Sequence, residues 1–161
     1  MVSAGEALSR TDTTPPTAFY TLDGYAGMAE AFLAAWESAS EAQQATVLRL
    51  RSDAGRACRA LRRFAKVMPI AEPWALLCQG LHDWLDGRGA RAYRAWQGAL
   101  DGASRLGMPL AEGLAHFEIG RHLDAGSGNR RAHLERAGAI FERLGAPLHL
   151  AAAREPQANP G

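Results

Sequence analysis

The run Pro73-Trp74-Ala75-Leu76-Leu77-Cys78-Gln79-Gly80-Leu81-His82-Asp83-Trp84-Leu85-Asp86-Gly87-Arg88-Gly89 decides the fold. Trp74, Leu77, Leu81 and Trp84 recur at intervals of three and four, which puts one apolar stripe along a helix. Pro73 suits the first turn of that helix, and the stripe ends near Asp86. Gly87-Arg88-Gly89 turns the chain, after which Ala92, Trp96, Ala99, Ala103 and Leu106 stripe a second helix. Gly107 closes it where a left-handed cap needs a residue without a side chain, and Pro109 follows. Two helices joined by so short a turn form an antiparallel hairpin. Leu76 and Gly80 then face the hairpin's own second helix, which leaves part of the Trp74, Leu77, Leu81, Trp84 stripe for a neighbour or partner.

The same logic extends in both directions. Upstream, Thr17 can cap a helix striped by Phe19, Leu22, Ala26, Ala29, Leu33 and Trp36. A second helix, over about 41–67, carries Leu50, Ala54, Ala57, Leu61, Phe64 and Met68, and Pro69 stops it. Downstream, Leu110, Leu114 and Phe117 begin a fifth helix reaching about Leu123. A Gly/Ser loop over 124–129 leads to a sixth, striped by Leu134, Ala137, Phe141 and Leu144 and closed by Gly145. The expected organisation is a flexible lead-in over 1–16, a helical-repeat domain over 17–146, and a short terminal helix with a disordered tail over 147–161.

Composition agrees with an all-α chain. Alanine fills about one position in five while Val, Ile and Thr are sparse, so helix propensity is high and a sheet has little to be built from. The chain has 161 residues, 47% of them apolar, enough for a continuous core in one domain. A net charge of +1 gives no broad positive field for nucleic acid or an anionic membrane, so neither is an expected partner. Cys58 and Cys78 lack metal spacing and are too few for a disulfide scaffold, and the first fifteen residues hold no signal-peptide core. A cytoplasmic location is expected.

Motifs that would carry chemistry are missing. No HExxH or other metal spacing links the five histidines. His122 and His133 could approach each other across the 124–129 loop with Glu118 and Asp124 nearby, although packing or capping roles suit them better. The only lysine, Lys66, follows Arg62-Arg63-Phe64-Ala65 and no glycine loop, which excludes a Walker A phosphate cradle. No serine sits in a GxSxG elbow. No cofactor, metal or catalytic residue is expected. Arg49, Arg56, Arg59, Arg63 and Lys66, with Arg51 and Arg62 close by, form the one charge concentration. It reads as a solvated outer face, with contact to an acidic partner domain as the other reading.

Aligning Gly80 with Gly120 brings Ala75, Leu77 and His82 opposite Ala115, Phe117 and His122. In each unit a glycine on the first helix and an alanine on the second permit close approach, and Trp96, Phe141 or Phe64 fills the gap one turn away. This is tetratricopeptide logic, in which the first helices line a concave surface, and it predicts a degenerate TPR-like α-solenoid of about three hairpins.

Five segments carry a more specific resemblance: Phe19-Tyr20-Thr21-Leu22-Asp23-Gly24-Tyr25-Ala26-Gly27, Ala60-Leu61-Arg62-Arg63-Phe64-Ala65-Lys66-Val67, Leu106-Gly107-Met108-Pro109, Gly120-Arg121-His122-Leu123, and His133-Leu134-Glu135-Arg136-Ala137 leading to Phe141-Glu142-Arg143-Leu144-Gly145-Ala146. In their order and spacing, over about 16–146, they resemble the C-terminal repeat region of bacterial signalling proteins that join a class III adenylate/guanylate cyclase domain, a STAND-type AAA ATPase and a tetratricopeptide-like array. No position matches a catalytic motif of either enzyme domain. The resemblance implies a non-enzymatic scaffold that binds a protein partner or the parent ATPase/cyclase domains, as a tail module or a fragment, with self-association also open. Two alternatives are a small-ligand sensor with a pocket lined by Trp74, Trp84 and Trp96, and a cryptic enzyme built on His122, His133 and Glu118.

Overall fold

The structure, a computed structural model, describes residues 22–154. The expected lead-in, the Thr17 cap, Phe19 and the tail after Arg154 lie outside them. Among the described residues every regular element is helical: α1 (Leu22–Glu37), α2 (Gln44–Val67), α3 (Glu72–Leu85), α4 (Gly89–Leu106), α5 (Pro109–His122), α6 (Gly128–Leu144) and α7 (Pro147–Arg154). Short 3-10 turns at Glu41–Gln43 and Pro69–Ala71 precede α2 and α3. Pro69 thus does more than stop a helix: it opens the turn that leads into the next one.

Local chemistry sets the boundaries. Pro73 and Pro109 occupy the first turns of α3 and α5, where a missing N–H costs no helical bond. Gly107 and Gly145 are left-handed, at φ 62° and 63°. The Met108 N–H donates to the Ala103 carbonyl (2.9 Å) and the Ala146 N–H to that of Phe141 (2.9 Å), so both caps satisfy carbonyls that the helix ends would leave bare. Between α3 and α4, Gly87 takes φ 74° and the Arg88 N–H bonds the Asp83 carbonyl at 2.8 Å.

Each helix packs on the next along the chain, and α1 also touches α3, as α3 touches α5. Three apolar clusters follow one another: Leu33, Leu61 and Phe64 lie among α1 to α3, Trp96, Ala99, Ala115 and Ile119 among α3 to α5, and Phe141 with Ala153 under α7. Small residues set the spacing. A Cβ on Gly80 would lie 2.2 Å from Trp96 Nε1, so the indole rests directly on the α3 backbone. Leu76 meets Gly98, and Leu76 and Gly80 do face α4.

Two details differ from the sequence reading. In α5 the fully buried face is Ala111, Ala115 and Ile119, while Leu110 is exposed and Leu114 and Phe117 are half-buried. A helix lying between two neighbours buries its small residues deepest and turns its large ones to a third side. In the α5–α6 hairpin, Gly120 meets Leu134, and Phe141 packs instead on Gly113, whose Cβ would come within 2.8 Å of the ring.

Candidate functional site

On the side where α1, α3 and α5 lie next to one another, their side chains line a groove of about 320 Å³. Leu33 and Ala34 come from α1, Leu77, Cys78 and Leu81 from α3, and Leu114 and Phe117 from α5, with His149 of α7 also lining it. The floor is apolar because Leu33, Leu77, Leu81, Leu114 and Phe117 of the three first helices all border it.

The groove is also charged. Glu30 and Glu37 lie one over the other on α1, and Glu118 and Arg121 stand across from them on α5. Arg121 donates from Nε to Glu118 (2.9 Å) and from Nη1 to Glu37 (2.7 Å), with its guanidinium 5.6 Å from the centre of the Phe117 ring. Burial works against the charge on Arg121, and the two carboxylates outweigh it, so the guanidinium is held above its usual range. Burial pushes the Glu118 carboxyl up against the opposing pull of Arg121. Burial also raises Glu30, which forms no ion pair or side-chain hydrogen bond among the described residues.

The four side chains singled out in the sequence divide between settings. Leu77 (7% exposed) and Leu81 line the groove. Trp74 wedges between the first and second core clusters. Trp84, 37% exposed, lies 4.3 Å from the His122 ring, which stacks on Trp96 at 4.7 Å and 14°. His122 therefore packs against both Trp84 and Trp96, whose rings also meet each other at 6.1 Å, and Trp74 is not part of this cluster.

His122 does not approach His133. Its Nδ1–H donates to the Glu118 carbonyl (2.9 Å), and burial followed by the Arg121 charge lowers its pKa to about 4. The partner of His133 is His116 on α5, with Nδ1 atoms 2.8 Å apart, so one ring donates and the other accepts. Burial, then His133 and Arg136, lowers His116 to about 4, and burial lowers His133 as well. Among the described residues no group of three or more His, Cys, Asp or Glu is placed to hold a metal ion. Cys58 donates to the Cys78 carbonyl at 3.7 Å; burial, reinforced by Asp83, pushes its thiol up to about 12, a packing role and not that of a nucleophile.

On α2, Arg51 pairs with Asp86, Arg56 with Asp53 at 2.9 Å, and Arg62 with Gln79 at 3.3 Å, so part of the basic run is tied to the protein's own surface. Glu30 and Glu37 carry no local signal in the sequence, and Glu118, read there beside His122 and His133, meets them only because α1 and α5 face one groove; the Glu118–Arg121 spacing of three is the one local signal of the ion pairing. No helix among the described residues is long and apolar enough to cross a membrane. No protein-family model, curated protein or solved structure matches this chain.

Proposed function

We propose that this chain is a non-enzymatic interaction module, a TPR-like array of the hairpins α1–α2, α3–α4 and α5–α6 with α7 laid over the last. The observation that carries this reading is the groove: first helices touch first helices, and the side chains they leave uncovered converge on one apolar channel. A protein segment is the ligand such a channel accommodates, with Leu77 and Leu81 in its floor. The resemblance to the repeat region of cyclase–STAND ATPase proteins suggests a signalling partner or an adjoining ATPase core as the source of that segment.

Photo-crosslinking tests the reading. With benzoyl-phenylalanine in place of Phe117, which lines the groove, irradiation of expressing cells yields a discrete protein adduct that is absent when the same group replaces exposed Ala139 on α6. Equal labelling from both positions, or none from position 117, overturns the assignment.

A further inference from the structure

The charges of the groove do not balance. One guanidinium, that of Arg121, is shared between Glu37 and Glu118, and among the described residues Glu30 stands as a third carboxylate without a paired cation. The groove therefore holds two more negative charges than positive ones when all four groups are ionised.

We propose that the groove binds a partner segment that presents an arginine or lysine side chain between large apolar ones, with the cation set against Glu30 and the apolar groups on Leu33, Leu77, Leu81 and Phe117. This rests on the groove being the partner surface. A purely apolar occupant would cover Glu30 and exclude water from it while offering no hydrogen bond in return. An anionic occupant, such as a free terminal carboxylate or a phosphorylated segment, would meet three carboxylates and find Arg121 already engaged on both sides. A cation set against Glu30 would oppose the effect of burial, which raises that carboxyl.

A random dodecapeptide library displayed on phage and selected on the full-length protein reads out the preference. The expected winners carry arginine or lysine flanked by large apolar residues. Their synthetic forms should bind Glu30→Gln about fivefold more weakly, the size of one partly exposed charge pair, and should not bind Ala34→Trp, which plugs the groove from an exposed position outside the core. Circular dichroism of both variants checks that the helices are intact. Winners that are acidic or uncharged, or that ignore Glu30→Gln while remaining sensitive to Ala34→Trp, overturn the cation requirement and leave the groove as a binding surface. Winners indifferent to Ala34→Trp, or no enrichment at all, overturn the groove reading and this proposal with it. A dimer seen in sedimentation of the full-length protein and lost in Ala34→Trp identifies a second copy as the occupant and likewise overturns the proposal.

Discussion

The hairpins α3–α4 and α5–α6 are built to one plan and held by different chemistry. Each second helix ends in a left-handed glycine, and each first helix lets a large ring rest on a bare backbone. In α3–α4 the contact is Gly80 with Trp96, near the connecting turn; in α5–α6 it is Gly113 with Phe141, at the far end. The connections differ too. Asp83, only 3% exposed, faces Arg88 at 2.7 Å and Arg91 at 3.9 Å, and Asp86 joins Arg88 to Arg51 of α2. The longer α5–α6 loop is held by Arg130 donating to the Leu123 carbonyl (3.0 Å) and by the neutral His116–His133 pair. A glycine opposite a ring fixes interhelical distance wherever along the hairpin it falls, and the latch at the turn can be ionic or neutral.

The largest expected effect is at the rings. Trp96→Ala removes a fully buried indole on which Gly80, Trp84 and His122 all depend, and should lower stability by about 3–5 kcal/mol. Phe141→Ala empties a site in the smallest of the three buried clusters and should fall at the lower end of that range. Urea denaturation of both variants ranks them, and a greater loss for Phe141→Ala would reverse the order assigned to the two hairpins.

Next comes the ionic latch. Arg88→Met leaves the Asp83 carboxylate buried with Arg91 as its remaining cation at 3.9 Å. Stranding a charge in a fully buried pair costs about 3–5 kcal/mol. Here about 2 kcal/mol is expected, because the Arg88 side chain is 38% exposed and Arg91 remains. Hydrogen exchange should then show α3 and α4 opening ahead of α5 and α6; simultaneous opening would mean that the latch serves the whole helical domain.

Acid should act on the other hairpin. His116 has a folded pKa of about 4 against an ordinary 6.5, so above pH 6.5 its ring is neutral in both states and the stability is fully present. As pH falls from 6.5 toward 4 the unfolded chain takes up a proton that the folded pair refuses, and stability is lost. Both rings are partly exposed, which limits the loss to about 1 kcal/mol. His82, beside the ionic latch, is also lowered by burial, but Asp86 and Asp83 oppose the shift, whereas Arg136 adds to it at His116. Burial raises Glu30 and Glu118, so these carboxyls work in the opposite direction. The double variant His116→Gln/His133→Gln isolates the pair, since every other group is common to both proteins. Its urea midpoint should fall less than the parent's between pH 7 and pH 4.5, and an equal fall would assign the acid response to His122 or His82.

Features set by neighbouring residues could be read in advance, and features set by loop length could not. The stripe spacing, Pro73, Pro109, Gly107 and Gly145 each act within one turn of helix, and the helices start and stop where those residues direct. Gly80 facing Trp96 followed from a short, closed turn. The register of α5 on α6 depends on how the longer loop brings the helices together, which is why matching Gly80 to Gly120 put the aromatic at the wrong glycine, and why reading across that loop put His133 near His122 when its partner is His116. The groove was half visible: Leu77 and Leu81 stood out as a stripe, while Glu30, Glu37 and Arg121 look like ordinary surface charges until α1 and α5 bring them together with Glu118.

The smallest effect tests whether the difference between the hairpins lies in their interiors alone. Gly107 and Gly145 hold nearly identical left-handed conformations, and each neighbouring N–H reaches back to a carbonyl at the helix end. A Cβ at either position would meet nothing within 4 Å, so a substitution there carries the backbone penalty without any clash. Placing an L side chain in that region costs about 1–2 kcal/mol, and the reduced freedom of the unfolded chain returns about 0.4–1 kcal/mol of it. Gly107→Ala and Gly145→Ala should therefore each destabilise by about 1 kcal/mol, equally and additively, because the sites share no partner. Thermal melts of the two single variants and the double variant measure this. A clearly larger loss at Gly145 would show that its cap also positions α7, through the Leu150 N–H bond to the Ala146 carbonyl at 3.0 Å, and would make the α6–α7 connection a third kind of junction.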